Sequence, residues 1–371
     1  MDTKQILAGL SPQDKRELCT ALVVEFQPSK QFLEHKLELN REKVLNCPAC
    51  KSSRIHGHGS YRGRNRCKCL ECKKTFNDFT GTSISGIKKT QKFQEYIKIA
   101  GDTTIRKAAS VLELNVKTIF DWRHKLLSSF PKSSGQKFSG IVECDDKQLN
   151  ISEKGNKKLD RKAYKRPSDR TIKRGVSNDK VSVMVATDRI GNITMQIAKI
   201  GRIDKGSVER TIGDLVLDNN VLCSDSHPSI ISWAQDKKLE HHVFIAARQH
   251  VKDKCYHVQH VNSLDNRYER WVSKFYGIAT KYLANYMNWF IFQESIKKSA
   301  NPFDSLIKAV ADNSETLENY REIQLRYKKL INLQYYQTEP FKIENFFKNP
   351  EMKEIVRDTL VFIQLIPKGE M

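Results

Sequence analysis

The chain has 371 residues, 39% of them apolar, which exceeds one average domain and suffices for a buried core with appended modules. Its 64 Lys and Arg outnumber 43 Asp and Glu, a net charge of +21 that favours a polyanionic partner, nucleic acid first, over a small neutral ligand. No run approaches the roughly 18 apolar residues of a membrane span, and the opening MDTKQILAGLSPQDKREL carries acids where a secretion signal is apolar, so a cytoplasmic protein is expected.

Residues 1–40 read as N-terminal helices, with apolar positions at Ile6, Leu10, Leu18, Leu22 and Val23. Residues 41–80 are rich in turn formers and strongly basic, and hold Cys47-Pro-Ala-Cys50 and Cys69-Leu-Glu-Cys72, two knuckles separated by 18 residues. That spacing predicts a zinc ribbon in which Cys47, Cys50, Cys69 and Cys72 bind a structural Zn²⁺, since a redox C-x-x-C needs only one knuckle. Cys67 breaks the two-residue spacing and is left out of the site.

Residues 88–130 are helical in pattern, and Thr103 to Phe130 have the layout of a helix-turn-helix. Ile105, Ala108 and Leu112 form one stripe, Asn115 caps the next helix, and Ile119, Trp122 and Leu126 form its inner face. The wheel then turns Lys117, Asp121, His124 and Ser128 outward, where they could face a DNA groove. An ordinary helical hairpin has the same pattern.

Pro131 to Gly140 has linker composition, and a mixed α/β domain is expected over 139–290. Its strands are GIVECDDKQLNI, a pair around the Gly191-Asn192 turn in VSVMVATDRIGNITMQIAKIG, NNVLCSDS and HHVFIAA. Asp145 and Asp225 fall at strand ends, where two carboxylates can hold Mg²⁺ or Mn²⁺ for phosphodiester chemistry, although turn-forming Asp is as common there. Alternation along the strand predicts that only one of Asp145 and Asp146 faces such a site. Between the first two strands, Lys154 to Arg174 packs ten Lys or Arg against two Asp, and Lys158, Arg161, Lys165, Arg166, Lys173 and Arg174 are the expected phosphate contacts. Residues 291–371 read as a helical, charged C-terminal extension.

The succession CPAC, CLEC, helix-turn-helix, VECDD, SDSHPS and HVQHVNSLDNRYERWVSKFYGIATKYLANYMNWF resembles bacterial insertion-sequence transposases of the ISXO-like class over about residues 45–290. The resemblance implies a ribonuclease-H-like DDE domain, a mixed sheet flanked by helices, that binds double-stranded DNA at terminal inverted repeats and cuts and joins strands with Mg²⁺. It also implies a homo-oligomer and association with the nucleoid when DNA is bound. The family's first aspartate falls on Asp145, its second on Asp225, and its third position, glutamate or asparagine, on Asn262. Where the family has a lysine seven residues further on, this chain has Glu269. A descendant that keeps the DNA reader and lacks the chemistry is the alternative.

Within VNSLDNRYERW, a helical wheel puts Leu264, Tyr268, Trp271 and Phe275 on one face and Asn262, Asp265, Asn266 and Glu269 on the other. Asn262 is the expected third ligand, Asp265 the reserve carboxylate one turn on, and Glu269 a charge that opposes phosphate.

Overall fold

The computed structural model describes residues 46–61, 64–77, 79–130, 136–156, 180–245, 251–253, 255–297 and 299–311, together with Ser11 and Leu159. The helices expected over 1–40, most of the extension over 291–371, and Lys158, Arg161, Lys165, Arg166, Lys173 and Arg174 lie outside the described residues.

Three short antiparallel strands come first, β1 (Ile55–Tyr61), β2 (Arg64–Cys69) and β3 (Thr75–Phe76). Three helices follow, α1 (Thr90–Ala100), α2 (Ile105–Val111) and α3 (Val116–Leu127). Their starts are written in side chains: Thr104 Oγ1 accepts from the Lys107 N–H at 3.2 Å, and Asn115 Oδ1 from the Lys117 N–H at 2.8 Å. The inner residues Ala108, Leu112, Ile119, Trp122 and Leu126 are buried as their spacing requires.

The largest unit is a five-stranded mixed sheet flanked by helices. Its strands are β4 (Ile141–Asn150), β5 (Lys180–Asp188), β6 (Ile193–Ile200), β7 (Val221–Asp225) and β8 (Glu240–Phe244), in the order β6-β5-β4-β7-β8. The first three form an antiparallel meander, and β7 and β8 add in parallel to β4. The β5–β6 turn closes because Asp188 Oδ1 accepts from the N–H groups of Ile190, Gly191 and Asn192, with Gly191 at a φ of 102°.

On one sheet face lie α4 (Lys205–Ile212) and α5 (Pro228–Asp236), whose Val208, Ile212, Ile230 and Trp233 pack against Val142, Cys144, Met184 and Ala186. On the other lie α6 (Gln259–Ser273) and α7 (Leu283–Ile296), which touch β4, β5 and β6. Burial on both faces explains why β5 reads as a near-continuous apolar run, VSVMVA, broken only by the buried Ser182, rather than an alternation. Leu264, Tyr268, Trp271 and Phe275 are buried together, the last two with ring centroids 4.9 Å apart, as the helical wheel anticipated.

A 3-10 turn (Thr280–Tyr282) precedes α7, and α8 (Pro302–Ala311) ends the described chain, with Ser83 Oγ donating to the Val310 carbonyl. Among the described residues no helix is long and apolar enough to cross a membrane.

Candidate active site

In parallel pairing Cys144 lies beside Ser224, so the next residues, Asp145 and Asp225, reach the point where β7 ends and β4 runs on paired only with β5. The carboxylates of Asp145, Asp146 and Asp225 gather there, with one oxygen of each within 4.8 Å of the others. This corrects the expectation that strand alternation admits only one of Asp145 and Asp146. The backbone does alternate, with Cys144 in the core under α4 and α5 and Glu143 under α6. Beyond the end of β7, however, both carboxylates reach the same open edge of β4. Asp145 Oδ1 accepts from the N–H of Asp146 at 2.8 Å, and Asp225 Oδ1 from the N–H of His227 at 3.1 Å. Gln148 Nε2 donates to Asp146 Oδ2 at 2.6 Å.

Burial, then the charges of Asp225 and Asp265, push the Asp145 carboxyl up to about 7. Burial raises Asp146 as well, with the Gln148 hydrogen bond opposing it. Three clustered acids, of which burial raises Asp145 and Asp146, are the donor set a hard divalent cation fits, because the cation offsets the charge of ionised carboxylates.

Helix α6 is placed over this edge by Glu143. Its carboxylate, 1% exposed, accepts from the N–H groups of His260 at 2.8 Å and Val261 at 3.1 Å, which sets negative charge at the helix start. Arg189 Nη1 pairs with the same carboxylate at 2.7 Å, and Arg189 Nη2 donates to the Cys255 carbonyl at 2.8 Å. Glu143, His257 and His260 have the spacing of a metal site, yet the Arg189 guanidinium lies against all three and supplies the compensating charge. Glu143→Gln should therefore lower stability in denaturant unfolding by roughly 3 kcal/mol, since it strands Arg189 beside an amide. A change within about 0.5 kcal/mol would contradict that role.

Two strand residues advance about 6.6 Å, near one helical turn of 5.4 Å, so Glu143, Asp145 and Lys147 meet successive turns of α6. Glu143 meets residues 260 and 261, and Lys147 Nζ lies 3.9 Å from Asp265 and 2.8 Å from Glu269. Asp145 thus faces the turn that ends at Asp265. Burial pushes Asp265 up to about 6, with Lys147 pulling it back, and its Oδ1 is buried without a hydrogen-bond partner. At about 100° per residue Asp265 sits about 80° from the centre of the buried face and Asn262 about 140°. Asn262, the expected first ligand, is exposed on a different side of the helix. Glu269 pairs with Lys147, which is 9% exposed, so a strand lysine stands beside the acids where the helix lacks one. Glu143 and Lys147 were missed, although V-E-C-D-D-K carries their alternation with Asp145.

The four cysteine sulfurs of Cys47, Cys50, Cys69 and Cys72 also lie within 4.8 Å of one another, with Cys47 and Cys72 at 3.5 Å and Cys50 and Cys69 at 3.6 Å. Each knuckle closes with a lysine at positive φ, Lys51 at 63° and Lys73 at 60°, so the two turns are alike. This donor set fits Zn²⁺. Cys67 sits on β2 opposite Phe76, outside the group.

In α3, Lys117 and Asp121 are exposed, but His124 and Ser128 are buried, correcting the expectation that all four face outward. The His124 ring lies 4.6 Å from Phe120 and 4.2 Å from Tyr282, and burial together with Arg123 pushes it down to about 3. Arg123, 1% exposed, donates to Tyr96 Oη and the Thr103 carbonyl and lies over the Phe275 and Trp289 rings. The second half of α3 is therefore a docking face for the α6–α7 segment, and a neutral, covered histidine does not reach DNA.

Residues 137–295 match the ISXO2-like transposase domain family. The chain is also 22% identical over 253 residues, 67% of its own length and 85% of the relative's, to an uncharacterized protein in transposable element ISH50 of Halobacterium salinarum.

Proposed function

We propose, from the match of residues 137–295 to the ISXO2-like transposase domain family, that the protein binds the terminal inverted repeats of an insertion sequence and cuts and joins its DNA at the acid cluster. The observation that carries this reading is the meeting of Asp145, Asp146 and Asp225 at the end of β7 within the matched residues. Asp145 and Asp225 would hold Mg²⁺ or Mn²⁺, with Asp265 facing them from α6. A divalent cation there supplies Lewis acidity and neutralises charge on the attacking and leaving oxygens.

In the first step a water oxygen forms a bond to phosphorus and the bond to the 3′ oxygen breaks, leaving a 3′ hydroxyl. In the second that hydroxyl attacks a target phosphodiester, and one bond again replaces another. Lys147 is the near-buried cation beside this chemistry, which offsets the acid at Glu269. Two element ends joined in one reaction call for at least two copies of the chain, hence a homo-oligomer working on DNA in the cytoplasm, at the nucleoid.

The zinc ribbon held by Cys47, Cys50, Cys69 and Cys72 and the helix-turn-helix of α2 and α3 read the repeat, with Lys117 and Asp121 toward the groove. Lys158, Arg161, Lys165, Arg166, Lys173 and Arg174 grip phosphates, and a net charge of +21 adds affinity that falls with salt.

The test is nicking of a duplex bearing the element's end in Mg²⁺ or Mn²⁺. Asp265→Ala is expected to reduce it about a hundredfold or more and Asn262→Ala by less than about threefold. The reverse ranking would return Asn262 to the site. Nicking absent in the parent protein under both metals would favour a non-catalytic DNA-binding descendant.

A further inference from the structure

A cavity of about 620 Å³ opens between α2–α3 and the segment joining α6 to the 3-10 turn. Its aromatic walls include Phe120, Tyr276 and Tyr282, its cations are Arg106, Arg123 and Lys154, and none of its lining residues is acidic. That size is in the range of sites for organic ligands, and the lining selects one that is flat and anionic.

Tyr276 is 81% exposed and sits at a φ of 52°, a conformation a bulky side chain rarely adopts. Lys154 holds the turn, its Nζ donating to the carbonyls of Tyr276 at 2.8 Å, Gly277 at 3.0 Å and Phe275 at 3.4 Å. A strained turn held this firmly to present an aromatic ring to solvent is what a stacking site requires and what the core does not.

The mouth is positively charged, with no acidic residue in its lining. Burial and the charge of Arg106 both push the Lys154 ammonium down, and among the described residues no carboxylate pairs with Arg106. An anion between these cations relieves their repulsion. Along α6 the rise from Asp265 to Ser273, the last helical residue before the Tyr276 turn, is about 12 Å at 1.5 Å per residue, roughly three to four steps of a DNA strand at 3.4 Å.

We propose that this cavity takes one nucleotide unstacked from the duplex, its base against Phe120, Tyr276 and Tyr282 and its phosphate between Arg106 and Lys154. The inference rests on the DNA-binding reading above and adds to it a place where the strand leaves the double helix, between the helical reader and the acid cluster. Base-to-aromatic stacking tolerates any base, so the site selects an unpaired nucleotide rather than a sequence.

The experiment uses the full chain and two duplexes, one fully paired and one with a single unpaired 2-aminopurine nucleotide. The parent should bind the second about tenfold more tightly, with the fluorescence quenched by stacking. Tyr276→Ala, at an exposed position, should remove the preference and the quenching and leave binding to the paired duplex unchanged; Phe120→Leu should weaken both signals. A preference that survives in both variants, or no preference in a parent that binds the paired duplex, overturns the pocket while sparing DNA binding. Failure to bind either duplex overturns both readings.

Discussion

Asp225→Ala is expected to lower metal-dependent strand cleavage about a thousandfold or more while changing affinity for the DNA end by less than about threefold. Asp225 is the last residue of β7 and one of three acids with one oxygen each within 4.8 Å of the others, so its removal takes away a candidate metal donor without disturbing the core beneath. Asp225→Asn separates charge from shape, and a fall nearly as large is expected because a neutral amide holds a hard divalent cation poorly. Residual cleavage above about a tenth of the parent rate would remove Asp225 from the site.

The same cluster makes stability depend on pH and on divalent metal. In the metal-free protein Asp145 is pushed up to about 7 and Asp265 up to about 6, both by burial first, against an ordinary value of 3.8. Between about pH 4 and 7 the folded chain therefore keeps protons that the unfolded chain has lost, so stability falls as pH rises through that window. For Asp145 alone the cost of ionising on folding is on the order of 4 kcal/mol above about pH 7. A bound cation favours the ionised forms and reverses that cost. Mn²⁺ should raise Tm by several degrees near pH 8 and hardly at all near pH 5, while Asp145→Asn should be more stable than the parent near pH 8 without metal. Equal Tm shifts at both pH values would mean that the ion binds elsewhere.

Local signals carried a good part of this fold. The knuckle spacing located the four cysteines that converge, the run around Gly191 marked the β5–β6 hairpin, and a strand end marked Asp225, whereas Asp145 lies in the middle of β4, which runs on to Asn150. What failed depends on partners distant in the chain. His124 points outward on a wheel drawn for α3 alone, and Tyr282, some 160 residues on, covers it. Which of Asn262 and Asp265 serves the acids depends on where Glu143 starts α6 on β4, and one turn of register cannot be read from the helix itself. The Lys147–Glu269 pair joins residues 122 apart, so Glu269 reads as a lost cation until β4 is placed beside it.

Removing zinc should unfold residues 46–77 and leave the five-stranded sheet folded. Among the described residues the three-stranded unit buries only Cys47, Cys69 and Phe76, with Ile55, Cys67 and Cys72 packed around them, far less apolar surface than an independent fold requires. Its thiols also resist sharing one charge state. Against burial, the N–H groups of Cys50 and Ala49 bring Cys47 down to about 6; at Cys72 the Lys74 N–H opposes, and burial and neighbouring thiols carry it up to about 11. Only a cation lets four thiolates coexist at these distances, and its binding energy, on the order of 10 kcal/mol, is then the folding energy of the unit. One zinc per chain is expected in the purified protein. Chelation or Cys69→Ser should abolish hydrogen-exchange protection over 46–77, leave protection of β4, β5 and β7 intact, and weaken binding to the element's end about tenfold or more. Protection of 46–77 that persisted in metal-free protein would show that the cysteines pack as ordinary core residues, and the zinc assignment would fall.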